Sequence, residues 1–238
     1  MIRRATMLLD DRCEKVSGGT FHSFANNILR QYSSKIGFPE GFEIIDRTDA
    51  EDLIGMIRKE MSLSSKSRSF PSKNTLIDIF SKAANKSLSI ENTLYAEYPH
   101  FYQEVEEIIF LHNEYVKQKV RHWFLDYDDL LIYLKNLLNE YPDICHKISS
   151  YYKFIMVDEY QDTNKIQAEI LFLLSTANKN IMAVGDDSQS IYAFRGANFK
   201  NIMDFPKNFK ETKIIRLEEN YRSIQPILTL TNVIIERA

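Results

Sequence analysis

Residues 154–162 read FIMVDEYQD, a run of apolar residues that ends abruptly in two adjacent carboxylates. The run predicts a buried strand, and open α/β sheets bind their ligands at the carboxyl ends of central strands. An Asp at such an end can hold the Mg²⁺ that bridges two phosphates, and a Glu beside it can position or deprotonate an attacking water. Taken alone, the stretch is better explained as a helix N-terminus with favourable acidic residues.

Two further blocks in the C-terminal third also follow apolar, strand-like runs. They read AVGDDSQSIYAFRGA (residues 183–197) and LEENYRS (residues 217–223). The three runs predict strands at 153–158, 180–185 and 212–217. Between the first two, apolar residues recur at helical spacing from Lys165 to Ser175. Strand, helix and strand in this order predict a parallel sheet, and near-continuous apolar strands suit a sheet that is covered on both faces.

The middle of the chain has helical periodicity and few strand signals. Helices are predicted within 50–60, 75–84, 98–120 and 128–139. Asp126 or Asp128 is interpreted as the N-cap of the last of these. A patch of basic residues in this part of the chain predicts a solvated helix face, with contact to nucleic acid as the lesser alternative; the residues are Lys117, Lys119, Arg121 and His122.

Composition limits the class of protein. With 238 residues, of which 44% are hydrophobic, the chain can bury a sizeable core. The net charge of −3 argues against a globally basic nucleic-acid binder, so any such contact must be local. Cys13 and Cys145 indicate neither a disulfide framework nor a zinc site, which fits a reduced, cytoplasmic compartment. No apolar run approaches the length of a membrane span.

In their order along the chain, the three blocks resemble motifs II, III and IV of the UvrD/Rep/PcrA-like branch of superfamily 1 DNA helicases. GTFHSF (residues 19–24) resembles the family's motif Ib, and IRRA (residues 2–5) resembles the tail of motif Ia. The resemblance implies an α/β fold: an incomplete RecA-like (P-loop NTPase) parallel-sheet domain with an all-helical inserted subdomain. Residues 1–47 and 148–238 would form part of the first motor domain and enter the linker to the second, and residues 48–147 would form the insertion.

One element of the family's pattern is missing from this sequence. It contains no G-x-x-x-x-G-K-[ST] loop, and its seven glycines are scattered. In the family that phosphate-binding loop lies just before motif Ia. The expectation is therefore that the chain is a fragment of a longer helicase, without the P-loop and the second motor domain, and inactive by itself.

The resemblance implies that five residues surround ATP and its Mg²⁺. Asp158 would hold the metal ion and Glu159 would activate water. Gln189 would contact the γ-phosphate, Arg222 would stabilise the charge that develops there, and Tyr221 would stack on the adenine.

Each of the last three residues has a structural alternative when it is taken singly. Gln189 could cap a turn, Tyr221 could be a core aromatic, and Arg222 could pair with Glu218 or Glu219. The joint occurrence of the residues in the family's order favours the catalytic interpretation.

The resemblance also implies contacts with single-stranded DNA and with single-strand/double-strand junctions. Stacking aromatics beside cations are typical of such contacts, and the candidates in motif III are Tyr192, Phe194 and Arg195. Phe194 stands where many relatives carry Trp, which makes a core role for it more plausible. Motif Ib offers Thr20, His22 and Ser23 for the DNA backbone, and a structural role is the equal alternative for His22.

The function implied is that of an ATP-dependent DNA helicase or translocase that moves 3′ to 5′ on single-stranded DNA, as its relatives do. Two alternatives stay open. The parent protein could be a helicase-nuclease recombination subunit, or the chain could be a degenerate relative that binds DNA without hydrolysing ATP.

Overall fold

A computed structural model describes residues 16–61, 70–189, 200–221 and 223–235 as a mixed α/β fold. The α-helices in these ranges are α1 (Phe21–Gln31), α2 (Arg47–Glu60), α3 (Lys73–Lys86), α4 (Ile90–Glu97), α5 (Val105–His122), α6 (Tyr127–Glu140), α7 (Pro142–Tyr151), α8 (Lys165–Leu174), α9 (Lys200–Asn208) and α10 (Gln225–Ile235). The strands are β1 (Glu43–Ile44), β2 (Phe124–Leu125), β3 (Ile155–Val157) and β4 (Ile181–Ala183). Short 3₁₀ helices lie at Ser33–Ile36, Pro99–Glu104, Tyr160–Asp162 and Asp187–Gln189.

The helices predicted from periodicity are confirmed, apart from the start of one. Residues 99–104 of the predicted 98–120 helix form a 3₁₀ turn, which begins at Pro99, and α5 follows it. Within the described ranges, no helix is both long enough and apolar enough to cross a membrane.

Side-chain caps fix where two of these helices begin. Asp126 accepts a hydrogen bond from the backbone N–H of Asp129, whose side chain accepts in return from the N–H of Asp126. Asn164 and Gln167 form the same reciprocal capping box at the start of α8. Each box satisfies two backbone N–H groups that a helix N-terminus would otherwise leave unpaired. The interpretation of Asp126 as an N-cap is confirmed.

Three clusters of buried apolar side chains form the interior. The first core joins α1, α6, α7 and α8 through residues such as Leu29, Leu134 and Ile170. The second core joins α2, α3, α4 and α5, with Ile54 and Ile79 at its centre. A small third cluster is formed by Tyr160, Leu171 and Phe205, and the inward faces of β3 and β4 pack against it.

The strand–helix–strand prediction is confirmed for β3, α8 and β4. The two strands are parallel, with Ile155 opposite Ile181 and Val157 opposite Ala183. A second parallel pair, β1 with β2, was not predicted. Its strands have two residues each, too few for an alternating pattern to be read from sequence.

The strand predicted at 212–217 is wrong. Residues 212–220 carry no strand assignment, and Leu217 is 88% exposed. A strand is stabilised by hydrogen bonds from a neighbouring strand, and no strand of the described chain pairs with this segment. The expectation of a sheet covered on both faces is also not met within the described residues, because Met156 on β3 is 69% exposed and Met182 on β4 is exposed as well.

Candidate functional site

The parallel pairing of β3 and β4 brings the first two sequence blocks together. Their carboxyl ends lie at one edge of the sheet, so the segments that carry Asp158 and Asp186 leave it next to each other. The pairing extends beyond the strands: the N–H of Val184 donates to the carbonyl of Val157 at 2.8 Å, and the N–H of Tyr160 donates to the carbonyl of Val184 at 2.9 Å. The site is therefore built on two hydrogen-bonded chain segments.

A sharp turn presents the two adjacent carboxylates. Glu159 has φ 51° and ψ 44°, in the left-handed region, which costs a residue other than glycine roughly 1–2 kcal/mol. Its N–H donates to Oδ1 of Asp158 at 3.1 Å. The turn ends β3 and starts the Tyr160–Asp162 3₁₀ helix, and both carboxylates face solvent. Backbone conformations of this kind concentrate at functional sites.

Gln161 links the two segments through its side chain, a feature that the sequence reasoning missed. Its Nε2 donates to Oε2 of Glu159 at 2.7 Å, and its Oε1 accepts from the backbone N–H of Asp186 at 3.1 Å. The residue is only 1% exposed. Because one partner lies 25 residues further along the chain, no local pattern around Gln161 reveals this bridge.

Gly185 leaves the space that Gln161 occupies. A Cβ atom at this position would lie 2.5 Å from Oε1 of Gln161 and 2.8 Å from Cδ1 of Ile202. Both distances are shorter than real Cβ contacts, so only glycine fits here without displacing a neighbour. A glycine at the end of a predicted strand is the one sequence signal that could have indicated such a close approach.

Gln189 lies in the turn that follows β4. Its Nε2 donates to Oδ2 of Asp186 at 2.7 Å, and Oδ1 of the same carboxylate accepts from the N–H of Ser188 at 3.0 Å. The alternative in which Gln189 closes a turn therefore describes this structure. The contact with a γ-phosphate stays a prediction, and the turn places Gln189 on the chain segment that Gln161 joins to Glu159.

The carboxylate at this edge suits a magnesium ion whose other ligands are mostly water molecules and phosphate oxygens. Asp158 is exposed, and one of its two oxygens accepts from the backbone. No group of three or more His, Cys, Asp or Glu side chains in the described ranges could hold a metal ion. Mg²⁺ is usually bound by one or two carboxylates together with waters and phosphates, so Asp158 fits the role predicted for it.

The three residues of the GTFHSF block that were predicted to contact DNA lie at the start of α1. Thr20 is its N-cap: Oγ1 accepts from the N–H of Ser23 at 3.2 Å, and Oγ of Ser23 donates to the carbonyl of Thr20 at 2.9 Å. His22 is half-buried and meets the ring of Tyr127 edge-on, with 6.0 Å between ring centroids. Burial lowers the pKa of His22, which favours its neutral form. These contacts give all three residues a structural role, and their contact with DNA stays a prediction.

The remaining predicted site residues are only partly described. Tyr221 is 87% exposed and its hydroxyl donates to Glu219, so the alternative that makes it a core aromatic is wrong. Four candidates lie outside the described residues: Tyr192, Phe194, Arg195 and Arg222. The structure thus joins Asp158 and Glu159, through Gln161, to the segment that bears Gln189.

Lys119 was predicted to lie on a solvated basic face, and this prediction is wrong. Its side chain is 5% exposed, and Nζ contacts Oδ2 of Asp126 at 2.5 Å and Oδ2 of Asp129 at 2.6 Å. The carboxylates raise the pKa of Lys119 although burial alone would lower it. Lys119 is therefore an internal ion-pair partner that joins α5 to the N-terminus of α6, and it is not available to nucleic acid.

Comparison with known proteins identifies the family. Residues 1–210 match the model of the UvrD/REP helicase N-terminal domain. The ATP-dependent DNA helicase PcrA of Staphylococcus aureus (strain Mu50 / ATCC 700699) is 34% identical over 236 residues, which are 99% of this chain and 32% of that protein. PcrA of Staphylococcus epidermidis is 35% identical over 236 residues, 99% of this chain and 32% of the relative. PcrA of Leuconostoc citreum is 33% identical over 233 residues, 98% of this chain and 30% of the relative.

The chain thus spans about one third of the length of these relatives. The resemblance to this family is confirmed: the family model covers the first two sequence blocks, and the alignment with PcrA covers 99% of the chain. On these grounds the chain belongs to the UvrD/REP helicase family.

Proposed function

We propose that this chain is part of an ATP-dependent DNA helicase and that the edge formed by Asp158, Glu159 and Gln189 is its site of ATP hydrolysis. The observation that carries the proposal is the side-chain bridge at this edge, where Gln161 joins the Glu159 carboxylate to the segment that bears Gln189. The relatives that cover 99% of the chain are named ATP-dependent DNA helicases, which supports the same reaction.

Each residue has a chemical role in this proposal. Asp158 would hold Mg²⁺, which would neutralise charge on the phosphates of bound ATP. Glu159 orients the attacking water and accepts its proton, a contribution that is typically worth about 10²- to 10⁴-fold in rate. Gln189 contacts the γ-phosphate, Arg222 stabilises the charge that develops there, and Tyr221, whose ring is exposed, stacks on the adenine.

The proposal extends to domain organisation. Residues 1–47 and 148–238 form part of a RecA-like motor domain and residues 48–147 form an inserted helical subdomain. The parallel β3–β4 pair supports the first assignment, and the separate second core, built from α2 to α5, supports the second.

The proposed substrate is single-stranded DNA and its junction with duplex, along which the parent protein moves 3′ to 5′. The proposed contacts are made by Thr20, His22, Ser23, Tyr192, Phe194 and Arg195. Aromatic rings would stack on bases and small hydroxyl donors would contact phosphates. At the start of α1 both Thr20 and Ser23 are exposed, which supports their assignment to such a surface.

ATP hydrolysis with and without single-stranded DNA tests the proposal. The 238-residue chain is compared with the protein encoded by the complete genomic reading frame around it. The longer protein is expected to hydrolyse ATP in a DNA-stimulated manner, and the chain alone is not, because its sequence has no G-x-x-x-x-G-K-[ST] loop.

Substitutions in the longer protein locate the site. Glu159→Gln should lower kcat by about 10²-fold or more, whereas Glu140→Gln, an exposed carboxylate at the end of α6, should leave it unchanged. Full hydrolysis in Glu159→Gln would reject Glu159 as the base. DNA binding with no hydrolysis by the longer protein would reject the helicase and favour the degenerate DNA-binding relative.

A further inference from the structure

The orientation of the Gln161 side-chain amide is fixed by its two partners. The backbone N–H of Asp186 can only donate, so the amide atom that meets it at 3.1 Å must be the oxygen. The NH₂ group must then face Glu159, where it donates to Oε2 at 2.7 Å. An ionised carboxylate can only accept, so both ends of the amide require the same orientation.

Packing prevents this amide from moving away. Gln161 is buried, and a single added carbon at Gly185 would come within 2.5 Å of its Oε1. The neighbouring Tyr160 is anchored in the third cluster, where its ring meets that of Phe205 edge-on. Gln161 is thus a rigid donor below the exposed Glu159 carboxylate.

The hydrogen bonds continue from Gln161 to Gln189. The backbone N–H of Asp186 donates to Gln161, and the Asp186 carboxylate accepts from Gln189 at 2.7 Å. Three hydrogen bonds and one residue backbone therefore connect the carboxylate that is proposed to activate water with the amide that is proposed to contact the γ-phosphate. Movement of either side chain must be accommodated by the other.

We propose that Gln161 is a positioning residue: it holds Oε2 of Glu159 so that the second oxygen, Oε1, faces the attacking water, and it couples that orientation to the Gln189 turn. This inference rests on the proposed function of Glu159 as the base. Gln161 itself lies beneath the surface and does not contact the nucleotide. Its loss should therefore affect the chemical step and leave nucleotide binding almost unchanged.

Two substitutions in the protein encoded by the complete reading frame separate its donor from its acceptor. Gln161→Met keeps the length of the side chain and removes both hydrogen bonds. Gln161→Glu keeps an oxygen for the Asp186 N–H but replaces the donor to Glu159 with a second carboxylate. Each should lower kcat about 10- to 100-fold at pH 8, with KM for ATP changed by no more than about twofold. Gln103→Met, the same chemical change at an exposed position, serves as the control.

The pH profile distinguishes positioning from a merely structural effect. In Gln161→Glu the two facing carboxylates share a proton as the pH falls, and the protonated group then donates to Glu159 as the amide did. The kcat of Gln161→Glu, relative to that of the unsubstituted protein, should rise severalfold between pH 8 and pH 6. Gln161→Met has no proton to gain and should show no such recovery. Equal kcat in Gln161→Met and the unsubstituted protein, or a loss that appears only in KM, would overturn the inference.

Hydrogen exchange on the 238-residue chain tests the bridge without any activity. The backbone amide of Asp186 should exchange slowly in the unsubstituted chain and in Gln161→Glu, and about tenfold or more faster in Gln161→Met. Fast exchange in all three would show that the bridge does not form, and the inference would fail whatever the enzyme does. Slow exchange together with full hydrolysis in Glu159→Gln would reject the assignment of the base, and the positioning role with it.

Discussion

Asp128 is a carboxylate whose charged form is disfavoured by its surroundings. It lies where α6 begins, and Nδ2 of Asn85 on α3 donates to its Oδ1 at 2.9 Å. Burial and the nearby charge of Asp126 raise the pKa of Asp128 to about 6, although Ser81, Asn85 and Lys119 act in the opposite direction. A carboxyl group whose pKa is raised on folding binds more protons in the folded than in the unfolded state.

The contribution of Asp128 to stability is fully present below its unfolded pKa near 4 and is lost as the pH rises through about 6. Asp128→Asn keeps an oxygen for Asn85 and removes the charge. We expect this variant to raise the free energy of unfolding at pH 7.5 by on the order of 2 kcal/mol. Near pH 4 the gain should disappear.

Urea denaturation at pH 4 and pH 7.5 provides the measurement. Asp143→Asn is the matched control, since Asp143 is exposed on the first turn of α7 and its substitution should change stability little at either pH. A loss of stability in Asp128→Asn at pH 7.5 would mean that the charge of Asp128 is needed where it lies.

The roles of some single residues could be predicted from the sequence, and the roles of others could not. Asp126 was interpreted as an N-cap because an Asp directly before an apolar helix commonly accepts hydrogen bonds from the backbone N–H groups of the first turn. Lys119 was misplaced because a cation in a helical run gives no sign of whether Asp126 and Asp129 will meet it in the interior. The role of Gln161 depends on the backbone of Asp186, and that proximity exists only after β3 and β4 have paired.

At the scale of elements, the N-terminus of α8 also contacts two other helices, α3 and α9. Asn164 caps α8 through Oδ1, and its Nδ2 donates to Oδ1 of Asn85 at 2.5 Å. Asn201 on α9 donates to the carbonyls of Thr163 and Asn164 at 2.9 and 3.3 Å. The cap is thus also the point where α3, α8 and α9 meet, directly after the proposed catalytic turn.

Asn164→Ala should therefore cost more than the loss of an ordinary cap. An isolated N-cap is worth about 1 kcal/mol, and the variant also leaves Oδ1 of the half-buried Asn85 without its donor, which adds about 1–3 kcal/mol. We expect a total loss of about 2–4 kcal/mol in the free energy of unfolding. Ser72→Ala, which removes the exposed cap of α3, should lose only about 1 kcal/mol. Equal losses in the two variants, measured by urea denaturation, would argue against the wider role of Asn164.

An element could be predicted where its sequence signals are local. The helix α8 has apolar residues at helical spacing and an Asn at its start, and both signals are local. The runs at β3, β4 and 212–217 look alike in sequence, but only the first two pair with each other. Residues Ile214 and Ile215 are exposed because no described strand lies beside them. Strand formation depends on a partner, and the apolar run alone cannot supply that information.

In the whole molecule, a side-chain amide links the two large cores. The first core contains α6 and α8 and the second contains α3, and Asn85 on α3 reaches both α6 and α8. Its Nδ2 donates to Asp128 and its Oδ1 accepts from Asn164. One amide at the end of α3 thus connects the second core to the helix that follows the proposed catalytic residues.

Asn85→Ala should loosen the second core more than the first. The variant removes one hydrogen bond to Asp128 and leaves the Nδ2 of the buried Asn164 without its acceptor. An unsatisfied buried group costs about 1–3 kcal/mol. We expect local opening of α2, α3 and α5 to become easier by that amount, because the contact that holds α3 against α6 and α8 is lost. Peptides from α1 and α7 should keep their protection to within about 0.5 kcal/mol. Native-state hydrogen exchange with peptide resolution measures both, and Asn139→Ala, at an exposed position on α6, is the control. An equal loss of protection in both cores would instead show that the molecule opens as a single cooperative unit, in which Asn85 has no special part.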